Sequence, residues 1–274
     1  MTEKTTLVIG SNGKTGRRVA DRLRERGVTV RAGSRSGNPP FDWADPATWD
    51  PALRGAESAY ITYYPDLTAP GAVEAVGELA RRAVGAGVRR LVLLSGRGED
   101  AALRSEEAVR DSGAEWTVVR ASWFAQNFDE GHLLEPVLGG TIALPAGEVA
   151  EPFVDAGDIA DVVVAALTGD GHAGQVYEVT GPRLLTFAEA AAELSRASGR
   201  EVRYVPVSAD GYAATLVEYG VPAGEAEMLA GMFAEILDGR NASLGDGVQR
   251  ALGRPPRDFA DYAVEAAATG VWKD

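Results

Sequence analysis

The sequence is poor in the side chains that build metal and redox sites. It has no cysteine, two histidines and only three lysines among its 274 residues. Without cysteine, the chain can form neither disulfides nor thiolate metal sites. His132 and His172 are too few for a zinc site. We therefore expect no bound metal.

Long apolar runs are also missing. The stretch Met1–Gly10 lacks the charged-then-apolar pattern of a signal peptide, and no apolar segment is long enough to span a bilayer. The net charge is -13, from 40 acidic and 27 basic residues, and the arginine pairs are scattered. Such a field repels nucleic acid and anionic membranes. The sequence predicts a cytoplasmic protein that acts on a small molecule, without nucleic-acid or membrane partners, as a monomer or homodimer.

Short apolar runs alternate with helical patterns through the first half of the chain, as in repeated βα units. The clearest buried strand is Arg90–Ser95, and the alternation breaks after about residue 125. These patterns predict an α/β fold: a Rossmann-type doubly wound parallel sheet with a small, mostly helical C-terminal substrate lobe. We expect one two-lobed domain over residues 1–274. The cofactor lobe takes residues 1–125 and 153–182, and the substrate lobe takes 126–152 and 183–274.

The individual elements follow from apolar spacing and from capping residues. Asp158 is expected to cap a helix, and Glu106-Glu107 to lie on a solvated helix face. The predicted strands are Thr6–Ile9, Val28–Ala32, Ser58–Thr62, Arg90–Ser95, Trp116–Arg120 and Gln175–Val179. The predicted helices begin near Gly16, Asp45, Ala69, Ala101, Asp158 and Thr186.

A glycine-rich loop separates the first strand from the first helix. Glycine allows a tight turn and a close backbone approach, and the N–H groups at the helix start can bind a pyrophosphate. This context makes a dinucleotide site a stronger interpretation than a plain turn. A Walker loop would need glycine where Val8 stands, so an ATPase is excluded. The expected phosphate contacts are Gly10, Ser11, Asn12, Gly13, Lys14, Thr15 and Gly16.

The segment after the second strand indicates which dinucleotide binds. No acidic residue lies between Glu25 and Asp42, where an NAD site would place one for the ribose hydroxyls. Ser34 and Arg35 can instead hold a 2′-phosphate, which predicts NADP(H) in preference to NAD(H). The alternative for Arg35 is an exposed loop residue. Asp42 and Trp43 are expected beside the adenine, or are ordinary turn chemistry.

Ligands of open parallel sheets bind where the strands end. The expected cofactor contacts there are Thr62, Tyr63, Ser95 and Gly96, and the candidate catalytic residues are Ser95 and Arg97. Arg97 either stabilises a developing oxyanion or forms a surface ion pair. For the aromatic candidates the alternative is core packing. The expected substrate contacts are Arg97, Ser122, Trp123, Phe124, Asn127 and Phe153.

In order and spacing these residues resemble the NmrA-like group of atypical short-chain dehydrogenase/reductases, which includes reductases of ergot-alkaloid biosynthesis. The resemblance covers nearly the whole chain and implies a Rossmann core, a small C-terminal substrate lobe and NADP(H). Ala121 departs from it, because the family commonly has proline there. The segments that carry it are Gly10–Gly16, Asp42, Leu93–Gly98, Ser112-Gly113, Trp116–Arg120, Ser122–Phe124, Asn127, Pro152–Asp155, Asp158–Ala160 and Thr180–Pro182.

The Tyr-x-x-x-Lys pair of ordinary short-chain dehydrogenases is absent, because no lysine lies between Lys14 and Lys273. The easiest acceptors would then be those that need little protonation by the enzyme. We expect an NADPH-dependent reductase of an imine or iminium, an enone or a quinone. The alternative is a non-catalytic NADP(H) sensor that acts through a protein partner, since some members of the family are of that kind.

Overall fold

The structure, a computed structural model, describes residues 5–273. Two short 3₁₀ turns, Pro46–Thr48 and Ala125–Asn127, accompany the strands and helices. The strands are β1 (Thr5–Ile9), β2 (Thr29–Gly33), β3 (Ala56–Ile61), β4 (Arg90–Gly96), β5 (Glu115–Ala121), β6 (Thr141–Leu144), β7 (Ala150–Glu151), β8 (Gln175–Val179), β9 (Leu185–Thr186) and β10 (Arg203–Pro206). The helices are α1 (Lys14–Glu25), α2 (Trp49–Leu53), α3 (Ala72–Gly85), α4 (Asp100–Arg110), α5 (Leu134–Leu138), α6 (Ala156–Thr168), α7 (Phe187–Ser198), α8 (Ala209–Glu218), α9 (Ala223–Ile236), α10 (Gly247–Leu252) and α11 (Phe259–Thr269).

The chain divides into two compact units, each assembled from separate segments. The first unit contains the chain up to Ala121, then Ala156–Val179 and Gly245–Pro255. The second contains Ser122–Asp155, Thr180–Leu244 and the chain from Pro256 onward. The largest difference from the lobes expected from the sequence is the segment Gly245–Pro255, which belongs to the first unit. In addition, residues 122–125, 153–155 and 180–182, expected in the cofactor lobe, belong to the second unit.

The first unit is built on a parallel sheet of six strands in the order β2-β1-β3-β4-β5-β8. The chain runs from β1 to one edge through α1 and then from β3 towards the other edge through α3 and α4. Because such crossovers are right-handed, α1 lies on one face of the sheet and α3 and α4 lie on the other. The direction reverses between β1 and β3, which is where an open sheet of this kind binds its ligand.

Helix α1 illustrates how the sequence produces these layers. The helix buries one apolar face, formed at helical spacing by Val19, Ala20 and Leu23. The helix ends at Glu25 with Arg26 as its C-cap, and the next residue, Gly27, takes a φ of 73° that L side chains rarely adopt. The other layer buries a separate apolar cluster around Leu7, Ile61, Leu91 and the α3 residues Val76 and Leu79.

Segment Gly245–Pro255 joins the first unit through glycine contacts and ion pairs. A side chain at Gly245 or Gly247 would overlap the carbonyl oxygen of Glu178 on β8. Arg254 donates to Asp158 and to Asp161, both at 2.7 Å, and the Asp158 side chain is fully buried. The sequence-based assignment of Asp158 as a helix cap is therefore wrong. Helix α6 begins at Ala156 instead, and Asp158 lies inside its first turn as an ion-pair partner.

The second unit has its own aromatic core, in which Phe128, Phe153, Phe187 and Phe259 pack with ring centroids between 5.2 and 6.4 Å apart. Thr186 caps α7 as predicted, with a reciprocal capping box formed by a glutamate three residues later. Two short pairings, parallel β10-β6 and antiparallel β7-β9, were not predicted from the sequence. Within residues 5–273 no helix is long and apolar enough to cross a bilayer.

Candidate functional site

The loop that follows β1 is a tight turn in which side chains have no room. Gly10 has a φ of 70°, its N–H donates to the Gly33 carbonyl at 2.9 Å, and its carbonyl accepts the Gly13 N–H at 2.8 Å. A Cβ on Gly16 would overlap the Gly10 carbonyl oxygen, and one on Gly10 would overlap the Thr62 hydroxyl. Since Thr62 Oγ1 donates to the Ile9 carbonyl at 3.1 Å, the ends of β1 and β3 are held together at the reversal point of the sheet.

The start of α1 is suited to an anion. Gly13 occupies the N-cap position, no side chain caps the first turn, and that turn contains no acidic residue. Ser11 is buried, and its Oγ has no hydrogen-bond partner among the described residues. A buried hydroxyl without a partner is costly, and a phosphate oxygen would satisfy it. The loop therefore fits the pyrophosphate of a dinucleotide.

The remaining predicted phosphate residues differ in how they present their side chains. Asn12 is exposed and Lys14 is half-buried at the helix start. Thr15 is buried, and its hydroxyl accepts the phenolic O–H of Tyr60 at 2.9 Å. The Thr15 hydroxyl is therefore engaged as an acceptor with β3, and the Thr15 backbone N–H lies at the helix start, where an anion is expected.

The predicted 2′-phosphate residues follow β2. Arg35 is exposed, and its guanidinium has no hydrogen-bond or ion-pair partner within the described part of the chain. Ser34 and Ser36 lie with their hydroxyl oxygens 3.3 Å apart. The segment thus carries one uncommitted cation and two hydroxyls, without a carboxylate between Glu25 and Asp42.

An aromatic cluster stands beside this edge of the sheet. The indole N–H of Trp43 donates to the Thr62 carbonyl at 3.0 Å, and its ring lies 4.8 Å from that of Tyr63. Phe41 and Trp49 pack edge-on against Trp43 at 5.2 and 5.6 Å. These contacts bring together three predicted cofactor residues, Trp43, Thr62 and Tyr63. They also fix the orientation of the Trp43 ring.

Asp42 organises the turn that supports this cluster. Its carboxylate accepts the Ala44 N–H at 3.0 Å, and its carbonyl accepts the Trp49 indole N–H at 2.8 Å. Of the two interpretations weighed for Asp42, the structure supports turn chemistry.

Ser95, one of the two predicted catalytic residues, is committed to a buried network. Its hydroxyl donates to Glu106 at 2.8 Å, and Arg120 binds both oxygens of that carboxylate at 2.7 Å. Arg110 adds a third donor residue at 3.1 Å, and the Glu106 side chain is only 1% exposed. The expectation that Glu106 faces solvent is wrong, because partners from β4 and β5 compensate its burial. Ser95 faces helix α4 through this network, which argues against its predicted catalytic role.

Arg97, the second predicted catalytic residue, is an ion-pair partner. Its Nε donates to Glu178 of β8 at 3.0 Å, and the Arg97 side chain is 9% exposed. Its backbone N–H donates to the Ala121 carbonyl at 3.0 Å. Of the two roles weighed for Arg97, the structure supports the ion pair, in a buried setting and not at the surface.

Glu99, which sequence reasoning missed, lies at the predicted cofactor residue Gly96. A Cβ on Gly96 would overlap the Glu99 carboxyl group, so the carboxyl covers the backbone where β4 ends. Burial, together with the negative charge of Asp66, raises the pKa of the Glu99 carboxyl to about 7. No motif marks this residue; the only sequence signal was its place three residues after a strand end.

The predicted substrate residues of the second unit have mixed outcomes. Ser122 donates to the Pro152 carbonyl at 2.6 Å, and Phe153 is 2% exposed within the aromatic core, so core packing is the correct interpretation of Phe153. Trp123 and Phe124 are partly exposed, as is Asn127. Within the described residues, the buried indole nitrogen of Trp123 has no partner.

Comparison with known proteins supplies the family. The model of the NmrA-like family matches residues 2–262. A (4-alkanoyl-5-oxo-2,5-dihydrofuran-3-yl)methyl phosphate reductase from Streptomyces griseus is 35% identical, covering 95% of this chain and 97% of the relative. An agroclavine dehydrogenase from Claviceps fusiformis is 31% identical, covering 98% and 100%. These relatives confirm the prediction of an oxidoreductase.

A solved structure supports the fold. An NADPH-dependent quinone oxidoreductase from Escherichia coli, complexed with NADPH, superposes with a TM-score of 0.76 at 24% identity, covering 95% of this chain and 99% of that one. The prediction of a Rossmann-type α/β fold is confirmed. With the family model matching nearly the whole chain and two relatives at 35% and 31% identity, this protein belongs to the NmrA-like family.

Proposed function

We propose that this protein is an NADPH-dependent reductase that transfers hydride to a small apolar or aromatic acceptor, such as an imine or iminium, an enone or a quinone. The observation that carries the proposal is the loop after β1. It combines glycines that tolerate no side chain, a helix start without a cap and the unpartnered hydroxyl of Ser11. When bound there, a reduced nicotinamide would supply the hydride.

The preference for NADPH over NADH rests on Arg35. An exposed guanidinium without a partner among the described residues, beside Ser34, is suited to a 2′-phosphate. An NAD site would place a carboxylate there for the ribose hydroxyls, and this segment has none. Trp43 and Tyr63 offer ring surface beside the same edge, which favours an adenine neighbour for Trp43.

The acceptor classes are supported by chemistry and by the relatives. The chain lacks the Tyr-x-x-x-Lys pair, so it favours acceptors that delocalise the incoming charge or already carry a positive one. The name of the Streptomyces relative describes a ring double bond conjugated with carbonyl groups, and the Escherichia coli structure is a quinone oxidoreductase. The acceptors that these two names describe are flat and conjugated, as in the proposed classes.

In the second unit, Trp123 and Phe124 remain the proposed substrate contacts. Ser122 and Phe153 are committed to a backbone carbonyl and to the core, whereas Trp123 retains a donor without a partner in the described chain.

The cofactor assignment is tested by fluorescence titration of the purified protein with NADPH and NADH. Arg35→Ala should weaken NADPH binding by about 10- to 100-fold, since a charge-assisted contact contributes roughly 1.5–3 kcal/mol, and should leave NADH binding unchanged. Arg24→Ala is the matched control, because Arg24 is an exposed arginine paired only with Asp21 in the last turn of α1. Equal loss for both dinucleotides would contradict the 2′-phosphate role.

Turnover is tested with the same protein by following NADPH oxidation with menadione, a cyclic imine and a conjugated enone. Oxidation with one of these classes is the expected result. Tight NADPH binding without oxidation by any of them would reject the reductase and favour a sensor of NADP(H). No binding of either dinucleotide would reject the proposed function altogether.

A further inference from the structure

Glu99 differs from the other acidic residues near the strand ends because its carboxyl group makes no hydrogen bond or ion pair with the described residues. It occupies the N-cap position of α4, yet it makes no capping hydrogen bond. The carboxyl instead covers Gly96 at the end of β4, where no side chain would fit beneath it. Its place is therefore the ligand-binding edge of the parallel sheet.

The surroundings of this carboxyl favour its neutral form. Among residues 5–273, no arginine, lysine or hydrogen-bond donor pairs with it, and the charged group that acts on it is Asp66 from the connection between β3 and α3. Asp66 is itself held by the N–H and hydroxyl of Thr68. Burial beside a second carboxylate disfavours ionisation of Glu99.

Glu106 on the same helix shows the opposite arrangement. It is more deeply buried, but Arg110 and Arg120 form ion pairs with its carboxylate. Of these two acids, the half-buried Glu99 is the one whose carboxyl has no basic partner among the described residues. Ser95 and Arg97 are both committed to other groups.

We infer that Glu99 is the general acid of the reduction, giving its proton to the acceptor heteroatom that becomes negatively charged when hydride arrives. The inference rests on the proposed function and assigns the proton donor that the missing Tyr-x-x-x-Lys pair leaves open.

The step balances as follows in atoms and charge. The hydride, which a bound reduced nicotinamide would release with both electrons of its C–H bond, forms a new C–H bond on the acceptor, and the π electrons of the acceptor move to its oxygen or nitrogen. The O–H bond of Glu99 breaks as its proton bonds to that atom, and the carboxylate regains a proton from water. A cationic acceptor, such as an iminium or a triarylmethane dye, becomes neutral on receiving hydride and needs no proton from Glu99.

The difference between neutral and cationic acceptors gives a direct test. Glu99→Gln should reduce the kcat for menadione by about 100-fold at neutral pH, in line with the contribution of a general acid. The kcat for a cationic triarylmethane dye should fall far less. Glu107→Gln, an exposed neighbour on α4, is the matched control and should change neither rate.

The pH dependence of the menadione rate is a second test, because a purely structural role of Glu99 would not change it. With menadione the wild-type rate should be constant at low pH and fall about tenfold per unit above pH ~7, because the reactive acid is lost. With the dye this fall should be absent, and Glu99→Gln should show a flat profile with both acceptors.

A further readout does not depend on turnover. Because the folded-state pKa of Glu99 is raised above its unfolded value, ionisation costs stability as pH rises from about 4.5 to above 7. The Tm of Glu99→Gln should therefore exceed that of the wild type at about pH 8 by more than it does at about pH 5. NADPH binding by this variant checks that the site is intact.

The outcomes separate the two proposals. Wild-type protein that oxidises NADPH with none of the tested acceptors, namely menadione, the cyclic imine, the enone and the dye, refutes the reductase. Wild-type protein that reduces both, with equal losses for menadione and the dye in Glu99→Gln, overturns the role of Glu99 alone. The same holds if Tyr63→Phe, and not Glu99→Gln, abolishes the menadione rate selectively.

Discussion

The most informative perturbation of the first unit is Glu106→Gln. The substitution preserves the shape of the side chain but removes the negative charge that Arg110 and Arg120 share. It also places an amide NH₂ where one oxygen now accepts from a guanidinium. Ser95 keeps an acceptor only if the remaining oxygen points towards β4.

The expected cost follows from burial. Removing one partner of a buried ion pair costs about 3–5 kcal/mol because the other charge is left without compensation. The Arg110 and Arg120 side chains are 33% and 22% exposed, so water can solvate them in part and the lower end applies. We expect a loss of about 3 kcal/mol, which lowers the Tm by roughly 6–12 °C in a domain of about 150–250 residues.

The assay is thermal unfolding followed by far-ultraviolet circular dichroism, with Glu107→Gln as the control. Glu107 is the exposed neighbour on α4 and should change the Tm by no more than about 1–2 °C, since surface substitutions cost roughly 0.5 kcal/mol or less. If Glu106→Gln and Glu107→Gln unfold at the same temperature, the network does not stabilise the unit and the reasoning fails.

Two further substitutions test the loop and the returning segment. Gly16→Ala should abolish measurable NADPH binding in a fluorescence titration, because its Cβ would overlap a loop carbonyl, whereas Gly85→Ala at the end of α3 has open space and should bind normally. Arg254→Ala removes the guanidinium from buried Asp158 and should lower the Tm by roughly 4–8 °C, for a loss of about 2 kcal/mol. A Tm within about a degree of the wild type would contradict a stabilising role of that ion pair.

The phosphate loop could be predicted because its signal is local. A buried strand, three glycines and an amphipathic helix follow one another directly. The tight turn between the strand and the helix leaves little room for side chains, so the flanking sequence already indicates why glycine is needed. Thr186 was predicted as a cap for the same reason, since its partner is three residues away. The order of the central sheet follows from repeated βα units, whose handedness leaves little choice.

The errors concern residues whose partners are distant in sequence. The sequence predicted a solvated Glu106 because its partner Arg120 lies on β5, outside helix α4. It predicted a cap at Asp158 because the partner Arg254 lies 96 positions later. The pairing of β6 with β10 joins segments about sixty residues apart, which apolar periodicity does not reveal. Glu99 escaped notice because its raised pKa comes from burial and from Asp66, neither of which has a sequence pattern.

The segment Gly245–Pro255 has a consequence for biosynthesis. This segment packs on Glu178 and forms an ion pair with Asp158. All six strands of the sheet therefore precede in the chain a segment that belongs to the same unit. The native packing of the first unit therefore includes residues up to Pro255, although the last strand of its sheet ends at Val179. The nascent sheet remains dependent on a part of the chain that has not yet been translated, and a release at Leu244 would leave Asp158 without its arginine.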